Sequence, residues 1–318
     1  MAESQASVYV SVGCDFAIAA SKFVAAAITG SSAMAAEAIH SVVDSLNGLV
    51  LLWGMRASRK PPDAEHPFGY GQELYFWTFI VAVLIFSIGG GMSIYEGIGH
   101  ILGKHHARPG IWDYAVLGFA AVFEAVTVAI AYRDFKRMEG KKSFWVSLRT
   151  SKDPTVFTVL LDNLAALVGL LFAFLGIFLG SLLNLPILDG LASILIGVTL
   201  AVVAVVLAIE SRGLLIGEGM DKRTLDNIRR LAQSDPGVAF VGTPLTMYFG
   251  PFSIFLALEV QFRERLSAAE VTATVDRLEK AIRSQYPKIQ RIFIEAESIS
   301  QGRPSGAEGS RGLQPARP

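Results

Sequence analysis

Six long apolar runs, parted by short polar breaks, fill the chain up to about residue 210. They cover roughly Val8–Ile28, Met34–Gly54, Leu74–Ile98, Ile111–Tyr132, Thr155–Leu179 and Pro186–Ala208. A helix needs about 20 apolar residues to cross the hydrocarbon of a bilayer, and each run reaches that length. Inside lipid every backbone polar group must find its partner within the segment, so such runs fold as helices. The expected architecture over residues 1–210 is an all-α bundle of six transmembrane helices embedded in a lipid bilayer. The balance of residues agrees: 52% are hydrophobic and 18% charged, against about 25% charged in ordinary soluble domains.

Orientation follows from the breaks. Met55 to Glu73 holds Arg56, Arg59 and Lys60, and the stretch before Thr155 holds Arg133, Lys136, Arg137, Lys141, Lys142, Arg149 and Lys152. The first and fifth breaks carry no basic residue, and the third carries only Lys104 and Arg108. By the excess of basic residues on the cytoplasmic side, the second and fourth breaks and both termini are cytoplasmic. Met1 to Ser11 has no Lys or Arg, so the positive start of a signal peptide is lacking and none is expected. A compact chain of this kind is expected in a bacterial cytoplasmic (inner) membrane.

Beyond residue 210 the composition turns soluble. Asp221–Ser234 groups Leu225, Ile228, Leu231 and Ala232 on one helix face. Phe240–Tyr248 and Ile254–Phe262 alternate as strands do, with Gly250-Pro251 between them. Ala268–Tyr286 is expected as a second helix, opened by Ser267 with Glu270 as a capping box, and Ile289–Ala296 as a third strand. The order α-β-β-α-β makes residues 211–298 a small cytoplasmic α+β domain. Residues 299–318 are rich in Gly, Pro, Ser and Arg and are expected to be disordered.

Several function classes drop out. Lys and Arg (28) balance Asp and Glu (28), so nothing favours a nucleic-acid partner, which needs a basic surplus. The single cysteine, Cys14, forms no internal disulfide or cysteine-based metal cluster. Neither a Ser–His–Asp set nor an HExxH stretch stands out, so the chain is not expected to be an enzyme.

What remains is the polar content of the spans. A charge in hydrocarbon is costly, so an ionisable residue there marks function by default. Span two holds Glu37, His40 and Asp44, then Asn47. His40 and Asp44 stand four residues apart and share a helix face. An imidazole and a carboxylate at that spacing can grip one divalent cation; the bland alternative is a hydrogen bond that satisfies both. Span five holds Asp162 and Asn163, with Thr158 one turn before. Two facing helices with such groups could close a four-ligand site from His40, Asp44, Asp162 and Asn163, or merely bond to each other. Asp15, Lys22 and Glu124 read as groups facing water or a partner charge, Asp189 as an anion at its own helix N-terminus, and Gly89-Gly90-Gly91 as a close-packing surface.

The run from Thr29 through Gly30, Ser31, Ser32, Ala33 and Met34, with Ala36-Glu37-Ala38-Ile39-His40-Ser41-Val42-Val43-Asp44-Ser45, resembles the first two helices of the cation diffusion facilitators. His66-Pro67-Phe68-Gly69-Tyr70-Gly71 with Glu73, Lys152-Asp153-Pro154-Thr155-Val156, Asp189 through Gly197, and Glu210-Ser211-Arg212-Gly213-Leu214-Leu215 are similar to other stretches of that family. The likeness covers about residues 8–298. It implies a homodimeric proton antiporter that exports divalent metal, usually zinc and alternatively iron or manganese, with a metallochaperone-like (ferredoxin-like) cytoplasmic domain and no permanently bound cofactor. It implies two metal ligands from span two, His40 and Asp44, and two from span five. The chain departs from the pattern there. It has no histidine after His106, so the expected second histidine falls on Thr158 or Val159, and Asp162 or Asn163 takes the aspartate position. From Gly219 onward there is neither His nor Cys, so the regulatory zinc site that relatives carry in this domain is expected to be missing. Asp63 and His66 form a loop pair for which a structural role is favoured. A non-transporting scaffold or regulator with a degenerate metal site is the alternative function.

Overall fold

The computed structural model describes residues 16, 18–103, 110–139 and 154–296. The chain forms two units, which divide after Glu218, with Tyr248–Ser253 grouped with the first.

The first unit is helical. Helix α1 (Ile18–Thr29) ends at Gly30, whose φ of 69° suits a residue without Cβ. Helix α2 (Ser32–Ala57) starts at once, with the Ser31 hydroxyl accepting from the Met34 N–H. Helix α3 (Glu73–Leu84) passes through a π-helical stretch, Ile85–Gly91, into α4 (Met92–Leu102). Helices α5 (Ile111–Glu139), α6 (Pro154–Leu183) and α7 (Ile187–Ile216) complete the bundle.

Five of these segments are long and apolar enough to cross a membrane: α2, the continuous rod Glu73–Gly103, Asp113–Arg133, Phe157–Leu183 and α7. The described part of α1 is apolar but shorter; the part of the first expected span before Phe16 lies outside the described residues, as do Asp15, the basic run Lys141 to Lys152 and the tail 299–318. Large apolar side chains such as Tyr95, Phe119, Val122, Leu171 and Val202 point outward, as lipid-facing residues do. The chain is therefore an integral membrane protein.

Lipid gives helices no hydrophobic reason to associate, so close backbone contact must hold them. Glycines provide it between the α3–α4 rod and α7. A Cβ on Gly97 would lie 2.6 Å from the Gly190 carbonyl oxygen, and one on Gly197 would lie 2.7 Å from that of Gly90. Gly90 thus serves the packing role expected of the triple glycine. The π-helical turn around it was not legible in the sequence.

Asp189 stands at the helix N-terminus expected for it and also serves a second helix. It lies in the first turn of α7, and its carboxylate caps α2. It accepts from the Ser31 hydroxyl at 2.7 Å, the Ser32 N–H at 2.6 Å and the Ser32 hydroxyl at 3.0 Å. An acceptor anion at a helix start satisfies the free N–H groups and the positive end of the dipole.

Apart from Tyr248–Ser253, the second unit holds α8 (Lys222–Gln233), β1 (Val238–Val241), β2 (Leu245–Gly250), β3 (Ser253–Phe262), α9 (Ala268–Gln285) and β4 (Ile289–Ala296). Strand β3 is central, antiparallel to β1, parallel to β4 and adjacent to β2. Ile254, Leu256, Leu258 and Val260 alternate inward, and Ile228, Ala232, Leu278 and Ile282 of the helices are buried with them. The expected capping box is present, with the Glu270 carboxylate accepting from the Ser267 N–H at 2.7 Å. The expected single strand Phe240–Tyr248 is two. Gly242-Thr243-Pro244 breaks it, because proline offers no ladder N–H and a neighbouring glycine resists extension. The order is thus α-β-β-β-α-β.

Candidate metal site in the helical bundle

Helix α2 sorts its polar residues by period. Glu37, His40, Ser41, Ser45 and Asn47 are all buried, and Asp44 is partly exposed. A membrane helix carries such a stripe only if neighbours answer it. Three helices do: α1 through Lys22, α5 through Glu124 and α6 through Thr158 and Asp162.

The His40 Nδ1 atom lies 3.3 Å from Asp44 Oδ1. That is ion-pair range, but neither atom has hydrogen-bond geometry, and Nε2 has no hydrogen-bond partner either. The mutual hydrogen bond that would have made the pair self-sufficient is therefore not formed. Across the helix interface the Asn47 amide donates to Asp162 Oδ2 at 3.2 Å. The Asp44 and Asp162 carboxylates are close enough to act on one another, and Glu124 bears on both. The second oxygen of Asp162, the Asn47 carbonyl oxygen and the Thr158 hydroxyl are buried without a hydrogen bond.

The structure thus brings His40, Asp44 and Asp162 into one polar seam between α2 and α6. Asn163 follows Asp162 by about 100° around the helix and is half-buried. Thr158, one turn before Asp162 and fully buried, shares its face, whereas Val159 is 40% exposed. The seam is loose: among the described residues no three His, Cys, Asp or Glu side chains converge on one ion position.

Beside the seam Lys22 meets a partner charge, as one of its two sequence readings had it, though the partner itself was not named there. The Lys22 ammonium lies 3.0 Å from Glu37 Oε2 and donates to the Ser41 hydroxyl at 2.8 Å. Both charged side chains are fully buried. Each residue was visible as a charge within an apolar run, but their pairing joins two helices and no spacing rule links them.

The loop after α2 behaves structurally. Asp63 accepts from the Tyr70 hydroxyl at 2.6 Å and from the His66 N–H at 2.7 Å. These bonds hold its carboxyl below the usual carboxylate range and push the Tyr70 hydroxyl up to about 12. The His66 ring stays half exposed, 3.7 Å from Asp63. With its oxygens engaged in the turn, Asp63 works as a loop clasp. In the second unit Glu295 is exposed beside Glu259 across the β3–β4 ladder, and Glu297 lies outside the described residues.

Comparison with known proteins adds sequence relationships. A family profile described as "Cation efflux transmembrane domain" matches residues 8–216. The chain is 28% identical to "Proton-coupled zinc antiporter SLC30A9, mitochondrial" of Xenopus laevis, over 86% of this chain and 56% of that protein. It is 27% identical to "Metal tolerance protein C4" of Arabidopsis thaliana, over 95% of this chain and 75% of that protein. It is 26% identical to "Magnetosome protein MamB" of Magnetospira sp. (strain QH-2), over 86% and 88%. The chain spans little more than half the length of the zinc antiporters it matches.

Proposed function

The chain belongs to the cation efflux family, and on that premise we propose that it is a secondary transporter that exports a divalent metal cation from the cytoplasm in exchange for protons. The observation that carries this reading is the α2–α6 seam, where buried nitrogen and oxygen atoms of His40, Asp44, Asp162, Asn47 and Thr158 stand without hydrogen bonds. Buried polar groups are normally satisfied, so a set of unsatisfied ligand-type atoms in one place fits a cation site.

His40, Asp44 and Asp162 are the proposed ligands, with Thr158 and Asn47 oxygens completing the shell. Asn163 was the fourth ligand expected from sequence; its half-buried position supports it less well than that of Thr158. Imidazole and carboxylates bind metal only when deprotonated. An ion and protons therefore exclude one another at these ligands, and a cycle that loads metal inside and protons outside exchanges them. One imidazole among oxygens suits zinc and ferrous iron, and more oxygens admit manganese. Relatives named as zinc antiporters support zinc as the first choice. The metal is cargo, and no resident cofactor is proposed.

The remaining readings follow the same premise. The protein works as a homodimer, with both termini cytoplasmic, in a bacterial cytoplasmic membrane; the relatives named above include mitochondrial proteins. The looseness of the seam favours a second reading, a non-transporting scaffold or regulator of the same fold. Purified protein in liposomes separates the two: a transporter moves protons on addition of zinc, ferrous iron or manganese, and a scaffold does not.

A further inference from the structure

Lys22 is, among the described residues, the one buried Lys or Arg. A buried ammonium needs a partner, and a purely structural pair would satisfy both members fully. This pair does not. Glu37 Oε2 takes the ammonium, but Oε1 is buried without a hydrogen bond. It presses on α6 at Gly169, where a Cβ would collide with it. Gly169 lies two turns along α6 from Asp162, on the same face. The ammonium also holds Ser41, the residue next to His40, and its charge reaches His40 and Asp44.

Resting on the transporter reading, we infer that Lys22 is a tethered counter-cation of the ion seam: paired with Glu37, it sets the net charge that an incoming divalent cation meets. Glu37, Asp44, Glu124 and Asp162 bring four carboxylates to this region of the bundle. One of them is held by the ammonium and is thereby kept from recruiting a second metal ion. The pair acts on affinity without touching the ion, so both members are positioning residues.

This role gives opposite signs to the two single substitutions. Glu37→Gln leaves the ammonium without its counter-charge, which repels a divalent cation. Lys22→Met leaves a bare carboxylate, which attracts one. The double variant buries no charge and restores the balance. A pair that only packs helices would shift both singles in the same direction.

The test is zinc binding to the full-length protein in detergent by isothermal titration, with zinc-driven proton flux in liposomes alongside. The expected zinc Kd rises roughly tenfold or more in Glu37→Gln, equivalent to about 1.4 kcal/mol. It falls in Lys22→Met with a lower maximal flux, because the ion leaves slowly, and it returns to within about threefold of wild type in the double variant. Lys22→Arg keeps wild-type affinity. Single-variant shifts of one sign, or a double variant as impaired as the worse single, would overturn the inference. Should the singles fail to fold, the double carries the test: a zinc Kd within about threefold of wild type supports the restored balance, and a larger shift overturns the inference. Wild-type protein that binds zinc with these shifts but moves no protons overturns the transporter reading and leaves the counter-cation in place. Wild-type protein that transports while the variants share its Kd overturns the counter-cation alone.

Discussion

The Asn47 amide reaches from α2 across to Asp162 on α6 and donates to its carboxylate at 3.2 Å. It is the contact that aims the α6 carboxylate into the seam holding His40 and Asp44. Asn47 thus orients Asp162 through its amide N–H while offering its own carbonyl oxygen to the shell, and loss of ligand orientation alone typically affects affinity or activity by about 10–100-fold. Asn47→Ala is therefore expected to lower zinc-driven flux in liposomes by roughly tenfold or more while the protein still elutes as a folded species. Unchanged flux would remove Asn47 from the site.

Asp189 anchors the start of the helix that carries the proposed ligands. It is 3% exposed and accepts from Ser31 and Ser32. Hydrogen bonds to a charged group contribute about 1.5–3 kcal/mol each when partners are left buried. Asp189→Ala should lower the thermal unfolding midpoint in detergent by several degrees, and Asp189→Asn by less, since it keeps one acceptor oxygen.

The α3–α4 rod and α7 meet through backbone. A Cβ on Gly197 would fall 2.6 Å from Ile94 Cγ1 and 2.7 Å from a main-chain oxygen. Overpacking of this kind costs about 1–3 kcal/mol, and more when backbone must move. Gly197→Val is expected to reduce the yield of folded protein and its unfolding temperature, whereas Gly118→Ala, at a position open on all sides, should leave both unchanged.

In the second unit, Arg277 holds Asp235 through bonds of 2.9 Å to each oxygen and keeps its carboxyl below the usual range. Glu270 is held low by the Ser267 N–H. A carboxylate whose folded pKa is depressed adds stability above its unfolded value, about 4 for Asp and Glu. That stability is lost as pH falls through the folded pKa. Hydrogen-exchange protection at the start of α9, relative to the intrinsic amide rate at each pH, should therefore fall on acidification below about pH 4. In Arg277→Ala the Asp235 contribution to that loss of protection should shrink, because only the Gly237 N–H still holds the carboxylate. Equal acid sensitivity with and without Arg277 would contradict the linkage.

Much of this architecture was legible because lipid enforces it. Apolar runs of spanning length have one solution in a bilayer, and the helices from α2 to α7 sit where those runs lie. The His40–Asp44 face followed from the α-helical period alone. Contacts between helices were harder. Lys22 could be seen as a buried charge, but only packing pairs it with Glu37. Asp189 was read as serving its own helix because sequence shows neighbours along the chain, and its carboxylate serves α2 as well. Asn163 was preferred to Thr158 as a ligand because the sequence does not show which face of α6 turns toward α2. In the second unit, Pro244 was the available signal that one apparent strand was two.

The account turns on one exchange reaction at the α2–α6 seam. Its most direct test is zinc-driven proton flux into liposomes holding wild-type, His40→Ala, Asp44→Ala and Asp162→Ala proteins, each verified as folded. The account predicts robust flux for wild type and none above empty liposomes for the three variants. Wild-type flux in those variants, or its absence from the wild-type protein with every divalent metal tried, would contradict it.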